Sequence, residues 1–210
     1  MLNTLSAMLL FANAHSPIVA GSALPCVHDT ISSIALHSTH IRPISASMAN
    51  VTAPKTMANF WPIETPISVQ VCNATVQYTH LGWNDTINTF VHLPVSVDWN
   101  VRLLGTRGSG WATGQIAGLV LPATKGFVSV ATDGGHSTSP LAPAADWVLA
   151  AKVNINWNLL NDFASVALDD AAILGKEAVA AFYGSRSNKI YIFLKQFNIA
   201  IILIILLTLS

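Results

Sequence analysis

Alternation of apolar and polar side chains is clearest after Ser68. There Gln70, Cys72, Ala74, Val76 and Tyr78 face opposite to Val69, Val71, Asn73 and Thr75, the period of two that a strand imposes. Leu81-Gly82-Trp83-Asn84-Asp85 supplies a turn. Ile87, Thr89, Val91 and Leu93 then alternate with Asn88, Phe90 and His92 until Pro94 stops the run, so the two segments predict an antiparallel hairpin. Val101-Arg102-Leu103-Leu104 predicts a short apolar strand. It leads into the glycine-rich run Gly105-Thr106-Arg107-Gly108-Ser109-Gly110-Trp111 and then into Gly114 to Thr124, small residues compatible with helix. Gly126 to Ala131 reads as a buried strand ending at Thr132-Asp133-Gly134-Gly135-His136, followed by a proline-bearing connection over 137–145.

The strongest helical pattern runs from Asn158 to Tyr183. Leu160, Phe163, Ala164, Ala167, Ala171, Leu174, Ala178 and Phe182 recur at intervals of three and four, Asp162, Ser165, Asp169, Lys176 and Glu177 lie off that stripe, and Gly184 provides the stop. Hairpin, strand, helix, strand, helix is the opening of an α/β sheet whose later strands become parallel by right-handed crossovers. On this reading the sheet ends on a single parallel pair, lacks its next central strand and leaves the helix stripe partly uncovered. Residues 15–66, rich in Ser, Thr, Ala, Pro and His without sustained periodicity, are expected to be loops and short elements.

Composition narrows the function classes. The 210 residues are 52% hydrophobic and 10% charged, which excludes disorder, and ten basic residues balance ten acidic ones without a cluster that would attract nucleic acid. Residues 1–14 carry the apolar run Met8 to Phe11 and the small-x-small sequence Ala12-Asn13-Ala14, the form of an export signal, although Met1 to Ser6 has no positive side chain. Cys26 and Cys72, an even pair in an exported chain, read most simply as one disulfide, the alternative being two buried thiols. Asn50, Asn73 and Asn84 each head a glycosylation sequon.

Several runs taken together, in order and spacing, resemble the tannase and feruloyl esterase family: Cys72 to His80, Leu103-Leu104-Gly105-Thr106, Gly108-Ser109-Gly110-Trp111, Thr132-Asp133-Gly134-Gly135-His136 and Trp157 to Gly184. The resemblance implies a secreted serine esterase acting on plant phenolic esters, feruloyl or galloyl, with an α/β-hydrolase core, a Ser/His/Asp triad and calcium in a lid. The fold class expected is therefore α/β, an incomplete α/β-hydrolase fold. Its nucleophile would sit on an elbow of G-x-S-x-G type after a later strand, and the resemblance implies that this chain stops short of the elbow, of the triad's acid and base, and of the lid. No catalytic residue and no cofactor are then assigned to it, and it is expected to be inactive as it stands.

What remains by resemblance is the oxyanion side. Gly105, Thr106, Gly108 and Ser109 occupy the loop from which α/β-hydrolases supply a backbone N–H to the tetrahedral oxyanion, although Arg107 stands where similar sequences carry glycine and a structural glycine loop is the plainer reading. Asp133 and His136 lie at a strand end, where open α/β sheets bind ligands, with a structural cap as the alternative. His37 and His40 lack a third metal ligand and read as surface histidines. Ser185 and Ser187 have no elbow around them. The expected organisation is a signal peptide at 1–14, a loop-rich region at 15–66, a partial hydrolase core at 67–186 and an unrelated hydrophobic tail at 187–210. Ile199 to Leu207 is apolar throughout. A membrane-attached, non-enzymatic protein held by that tail is the competing reading.

Overall fold

The computed structural model describes residues 23–42, 44–55, 63–184 and the backbone of 189–193. The elements are α1 (His28–Ile31), β1 (Thr39–Ile41), β2 (Ser45–Ala53), β3 (Ile67–His80), β4 (Ile87–Pro94), β5 (Arg102–Thr106), α2 (Val120–Ala123), β6 (Val128–Thr132), α3 (Ala145–Val148), β7 (Leu149–Ala151), β8 (Asn154–Ile155), α4 (Trp157–Asn161), α5 (Ala167–Tyr183) and β9 (Lys189–Phe193). Seven strands form one sheet in the order β1-β3-β4-β6-β5-β9, with β2 also on β3; β7 and β8 pair separately.

The hairpin forms as the alternation predicts. β3 and β4 pair antiparallel from Val71 opposite Pro94 to Tyr78 opposite Ile87. Cys72, Ala74, Val76, Tyr78, Val91 and Leu93 are fully buried on the core side. Residues 15–66, expected to be loops and short elements, contain more order than that. β2 pairs with β3 over nine positions, Ser45 opposite Thr75 to Ala53 opposite Ile67. Its small, mostly exposed side chains bury too little to leave a readable alternation, and backbone pairing along the edge carries the strand.

The sheet does not end on one parallel pair. β5 is parallel to β6 on one side and to β9 on the other, with Arg102 opposite Lys189 and Thr106 opposite Phe193. This corrects the expectation of a missing central strand, and it moves Lys189–Phe193 out of the segment read as an unrelated tail. A lysine at the start and the absence of turn chemistry make the segment look foreign in sequence, but four of its five residues are β-branched or aromatic, which suits a strand.

The expected uncovered stripe is also corrected. Ala167, Leu174, Ala178, Val179 and Phe182 of α5 are at most 2% exposed, packed over β4, β5 and β6. The helical segment is broken by a π-turn at Asp162–Val166 between α4 and α5. The extra residue in that turn shifts the phase, so Ala164, placed on the apolar stripe by spacing, is exposed, and Asp162, placed off it, is completely buried. Gly184 ends α5 at φ 65°, in the left-handed region that its lack of a Cβ permits.

The cysteines are joined. Cys26 and Cys72 form a disulfide with Cα atoms 5.5 Å apart, tying the segment that bears α1 to the middle of β3. Among the described residues no helix is long and apolar enough to cross a membrane. The export segment at 1–14, Ser185, Ser187 and the apolar run Ile199 to Leu207 lie outside the described residues. Closing a loop of 46 residues stabilises a fold by about 4 kcal/mol through the entropy of the unfolded chain. The Cys26→Ala/Cys72→Ala double variant should therefore lose a large part of its stability, seen as a fall of about 10 °C in Tm. An unchanged Tm would show that the bridge constrains nothing.

Candidate functional site

The loops that follow β5 and β6 meet at the carboxyl ends of these parallel strands. Gly105 and Thr106 finish β5, and Thr106 Oγ1 donates to the carbonyl oxygens of Val130 and Gln115 at 3.3 and 3.4 Å, which fastens the strand end to β6. The loop then folds on itself. Gly108 N–H donates to Thr113 O at 2.8 Å, Ala112 N–H to Ser109 O at 3.2 Å and Trp111 N–H to Pro140 O at 3.2 Å. Any side chain at Gly108 would strike the Ala112 backbone, so the glycine is required by the turn itself. Arg107 follows the strand at intermediate exposure and lines, with Gly105, Thr106, Val130, Thr132 and Ala171, an apolar cavity of about 180 Å³.

Asp133 and His136 leave β6 in different directions. Asp133 Oδ1 accepts from the backbone N–H groups of Asn88 and Gly135, both at 2.9 Å, and Oδ2 accepts from Asn88 Nδ2 at 2.7 Å. Its oxygens thus clamp the strand end to β4. His136 stacks on Trp147 with ring centroids 4.0 Å apart and planes within 5°. Its Nδ1–H donates to Ser137 O at 3.0 Å, so Nε2 is the atom that accepts from the Thr113 hydroxyl at 2.9 Å. Burial disfavours the charged ring and lowers its pKa. Trp111, Trp147 and Phe163 pack beside it, and His136 and Trp147 line an open cleft of about 530 Å³ with Asn84, Asp146 and Asn156.

The structure thus brings Gly108, Thr113 and His136 together and assigns Asp133 to a clamp. Asn50 and Asn84 are exposed, while Asn73 is half-buried in the middle of β3.

A second constellation escaped the sequence reading. At the end of β3, His80 Nδ1 lies 2.5 Å from Asp85 Oδ2 and its Nε2 lies 3.0 Å from Asp170 Oδ2. Asp170 Oδ2 also accepts from Tyr78 OH at 3.0 Å. Asp162 completes the group, with Oδ1 3.9 Å from His80 Nδ1. Burial works against charge on His80, but the hydrogen bond and charge of Asp85, with Asp170 and Asp162 beyond, outweigh it and raise the pKa. Burial, reinforced by the Asp85 charge, pushes Asp162 up to about 7. His80 and Asp85, five apart across a tight turn, were the available signal; Asp162 was hidden because the π-turn rotates it inward.

A family profile described as tannase and feruloyl esterase matches residues 72–194, from the middle of β3 through β9. The chain belongs to the tannase and feruloyl esterase family. A "probable feruloyl esterase" of Arthroderma benhamiae is 33% identical over 133 residues, covering 63% of this chain and 25% of that protein. A tannase of Aspergillus oryzae is 32% identical over 126 residues, covering 57% of this chain and 20% of its own length. The chain thus spans about a quarter or less of these relatives. A tannin acyl hydrolase from Aspergillus niger superposes with a TM-score of 0.61 at 25% identity, covering 80% of this chain and 31% of that one. A feruloyl esterase B structure from Aspergillus oryzae, at TM-score 0.54 and 21% identity over 79% of this chain and 32% of its own, shares the fold. Family membership accounts for the corrected boundary, since the match includes the strand first assigned to the tail.

The histidine at the strand end yields a pH prediction. With its folded pKa below the unfolded value of about 6.5, the unfolded chain takes up the proton first as pH falls. The stability contributed by the neutral ring is complete above pH 6.5 and is lost as pH drops toward the folded pKa. NMR titration of the His136 ring should give a midpoint below 6.5, and His136→Gln should flatten that part of the stability profile. A midpoint above 6.5 would refute the assignment.

Proposed function

We propose that this chain carries the oxyanion side of a carboxylic ester hydrolase acting on plant phenolic esters, feruloyl or galloyl, outside the cell. The observation that carries the reading is the glycine loop after β5, held against the end of β6 with β9 parallel alongside. In α/β-hydrolases the loop at this place lends an amide to the developing oxyanion, and the nucleophile elbow follows the strand on the other side. The Gly108 and Trp111 amides are already committed within the protein. Ser109 and Gly110 are therefore the loop amides best suited to face a reacting carbonyl, with Gly105 and Thr106 positioning the loop. The relatives named as feruloyl esterases and tannase support the substrate class. The disulfide fits an oxidising, extracellular setting.

The same reading holds that these 210 residues do not turn over esters by themselves. Leu194 to Leu207 contain no glycine, serine or cysteine, so the run after β9 has no elbow chemistry. Among the described residues, the hydroxyl bonded to an imidazole is that of Thr113, and both nitrogens of His80 face carboxylates. A triad requires nucleophile, base and acid within hydrogen-bond reach. Purified chain should hydrolyse methyl ferulate and methyl gallate no faster than buffer. Turnover of either ester, together with labelling by a fluorophosphonate serine probe, would contradict this. In a chimera that continues after Phe193 with the remainder of the Aspergillus oryzae tannase, hydrolysis should appear and should fall at least tenfold on Gly108→Val. An active chimera indifferent to that change would remove the loop from the proposal.

A further inference from the structure

The group around His80 draws on both sides of the β3–β4 turn and on the helical segment packed against it. His80 closes β3, Asp85 ends the β3–β4 turn, and Asp162 opens the π-turn between α4 and α5. One donor atom from each lies within 4.8 Å of the others. Asp162 is the decisive member. It is fully buried, and neither carboxylate oxygen has a hydrogen-bond partner. A carboxylate so placed carries a desolvation cost that the His80 ring, 3.9 Å away, offsets only in part.

We propose that His80, Asp85 and Asp162 hold a divalent transition cation of the zinc type. His80 Nδ1 and one oxygen from each aspartate supply three donors, and water or the second Asp162 oxygen completes a tetrahedron. Donors on a tetrahedral zinc with bonds of about 2.0–2.1 Å sit about 3.3 Å apart. The Nδ1 distances to Asp85 and Asp162, 2.5 and 3.9 Å, bracket that value, so a small rotation of the two carboxylates suffices.

The surroundings also suit a metal. Nε2 of His80 is within hydrogen-bond distance of Asp170, which Tyr78 OH holds in turn, so that when a cation displaces the Nδ1 proton the remaining proton stays on Nε2 and Nδ1 is left to bind the metal. Thr79 Oγ1 and His80 N–H orient Asp85 through its other oxygen, at 2.7 and 2.9 Å. Calcium does not fit, since it takes six to eight oxygens and this set includes an imidazole nitrogen. Such a cation would pin the hairpin turn to the helical segment that covers the sheet. The three ligands are not side chains of the β5 and β6 loops, although Phe163, next to Asp162, packs against His136, so metal binding is read out separately from ester hydrolysis.

The test is calorimetric titration of the chelator-stripped full chain with Zn²⁺, with Ca²⁺ as control and thermal melts in parallel. One zinc per chain should bind and raise Tm by about 5 °C at saturating metal, while calcium should do neither. Asp162→Asn should fold and weaken zinc binding at least tenfold, and Asp170→Asn should weaken it by about ten- to a hundredfold. Zinc-edge X-ray absorption of the unmodified chain needs no variant and should show a single imidazole among oxygen donors. Absence of zinc uptake by folded chain would overturn the site, leaving a protonated Asp162 as the answer to its burial. Coordination by two or more imidazoles, or binding unaffected by Asp162→Asn, would overturn it in favour of surface histidines.

Discussion

The close approach of α5 to the parallel strands is the contact on which the rest of the molecule depends. At Gly175 a methyl group would come within 3.2 Å of Leu103 and 3.3 Å of Val130, tighter than ordinary packing, so the absent side chain sets the distance between helix and sheet. Around it, Ala171, Leu174, Ala178 and Phe182 shed nearly all their exposure. Full burial of the leucine and phenylalanine alone is worth on the order of 4 kcal/mol. Because the crossover from β6 through α5 leads to the far side of β5, this packing also delivers β9 to its place. The strand order β6-β5-β9 and the seating of α5 are one constraint seen from two sides.

That constraint explains how the strand-end loops come to face one another. β5 and β6 are parallel neighbours, so both run out at the same edge of the sheet and their following loops must share space. Glycines make the sharing workable: Gly134, at φ 66°, lies against the Thr113 side chain. Asp133 then locks the β6 end to Asn88, and His136 is free to stack on Trp147 rather than to serve the clamp. The helix is fixed at its far end too, where Tyr183 OH donates to Pro94 O at 2.5 Å and its ring stacks on Trp99. The π-turn before α5 offsets the helix phase by one residue and sends Asp162 into the junction with the hairpin.

Most of the sheet was legible because its signals are local. The β3–β4 alternation, the apolar run of β6 and the α5 stripe with its glycine stop each announce themselves within a single window of sequence. β2 was not legible, since Ser45 to Ala53 earns its place by backbone pairing to β3 and buries little. β9 was misread for the opposite reason: its apolar character resembles the hydrophobic sequence that follows, and its pairing to β5 is tertiary. At the candidate site the glycine loop and the Asp133–His136 strand end were visible as residue types, but their division into turn, clamp and stacked ring is tertiary. The His80 group offered only the His80–Asp85 spacing, because Asp162 is brought to them by a shift in helical phase, which periodicity cannot register.

Amide hydrogen exchange across Lys189 to Phe193 is the most direct measurement of this account. If the strand is the outer parallel neighbour of β5, the amides of this segment that face β5 should be protected to a degree comparable with those of β5 and β6, because opening them requires releasing the sheet from α5. Exchange of the same segment at the rate of an unstructured peptide, with the β3–β4 hairpin still protected, would contradict it and return these residues to a tail outside the esterase sheet.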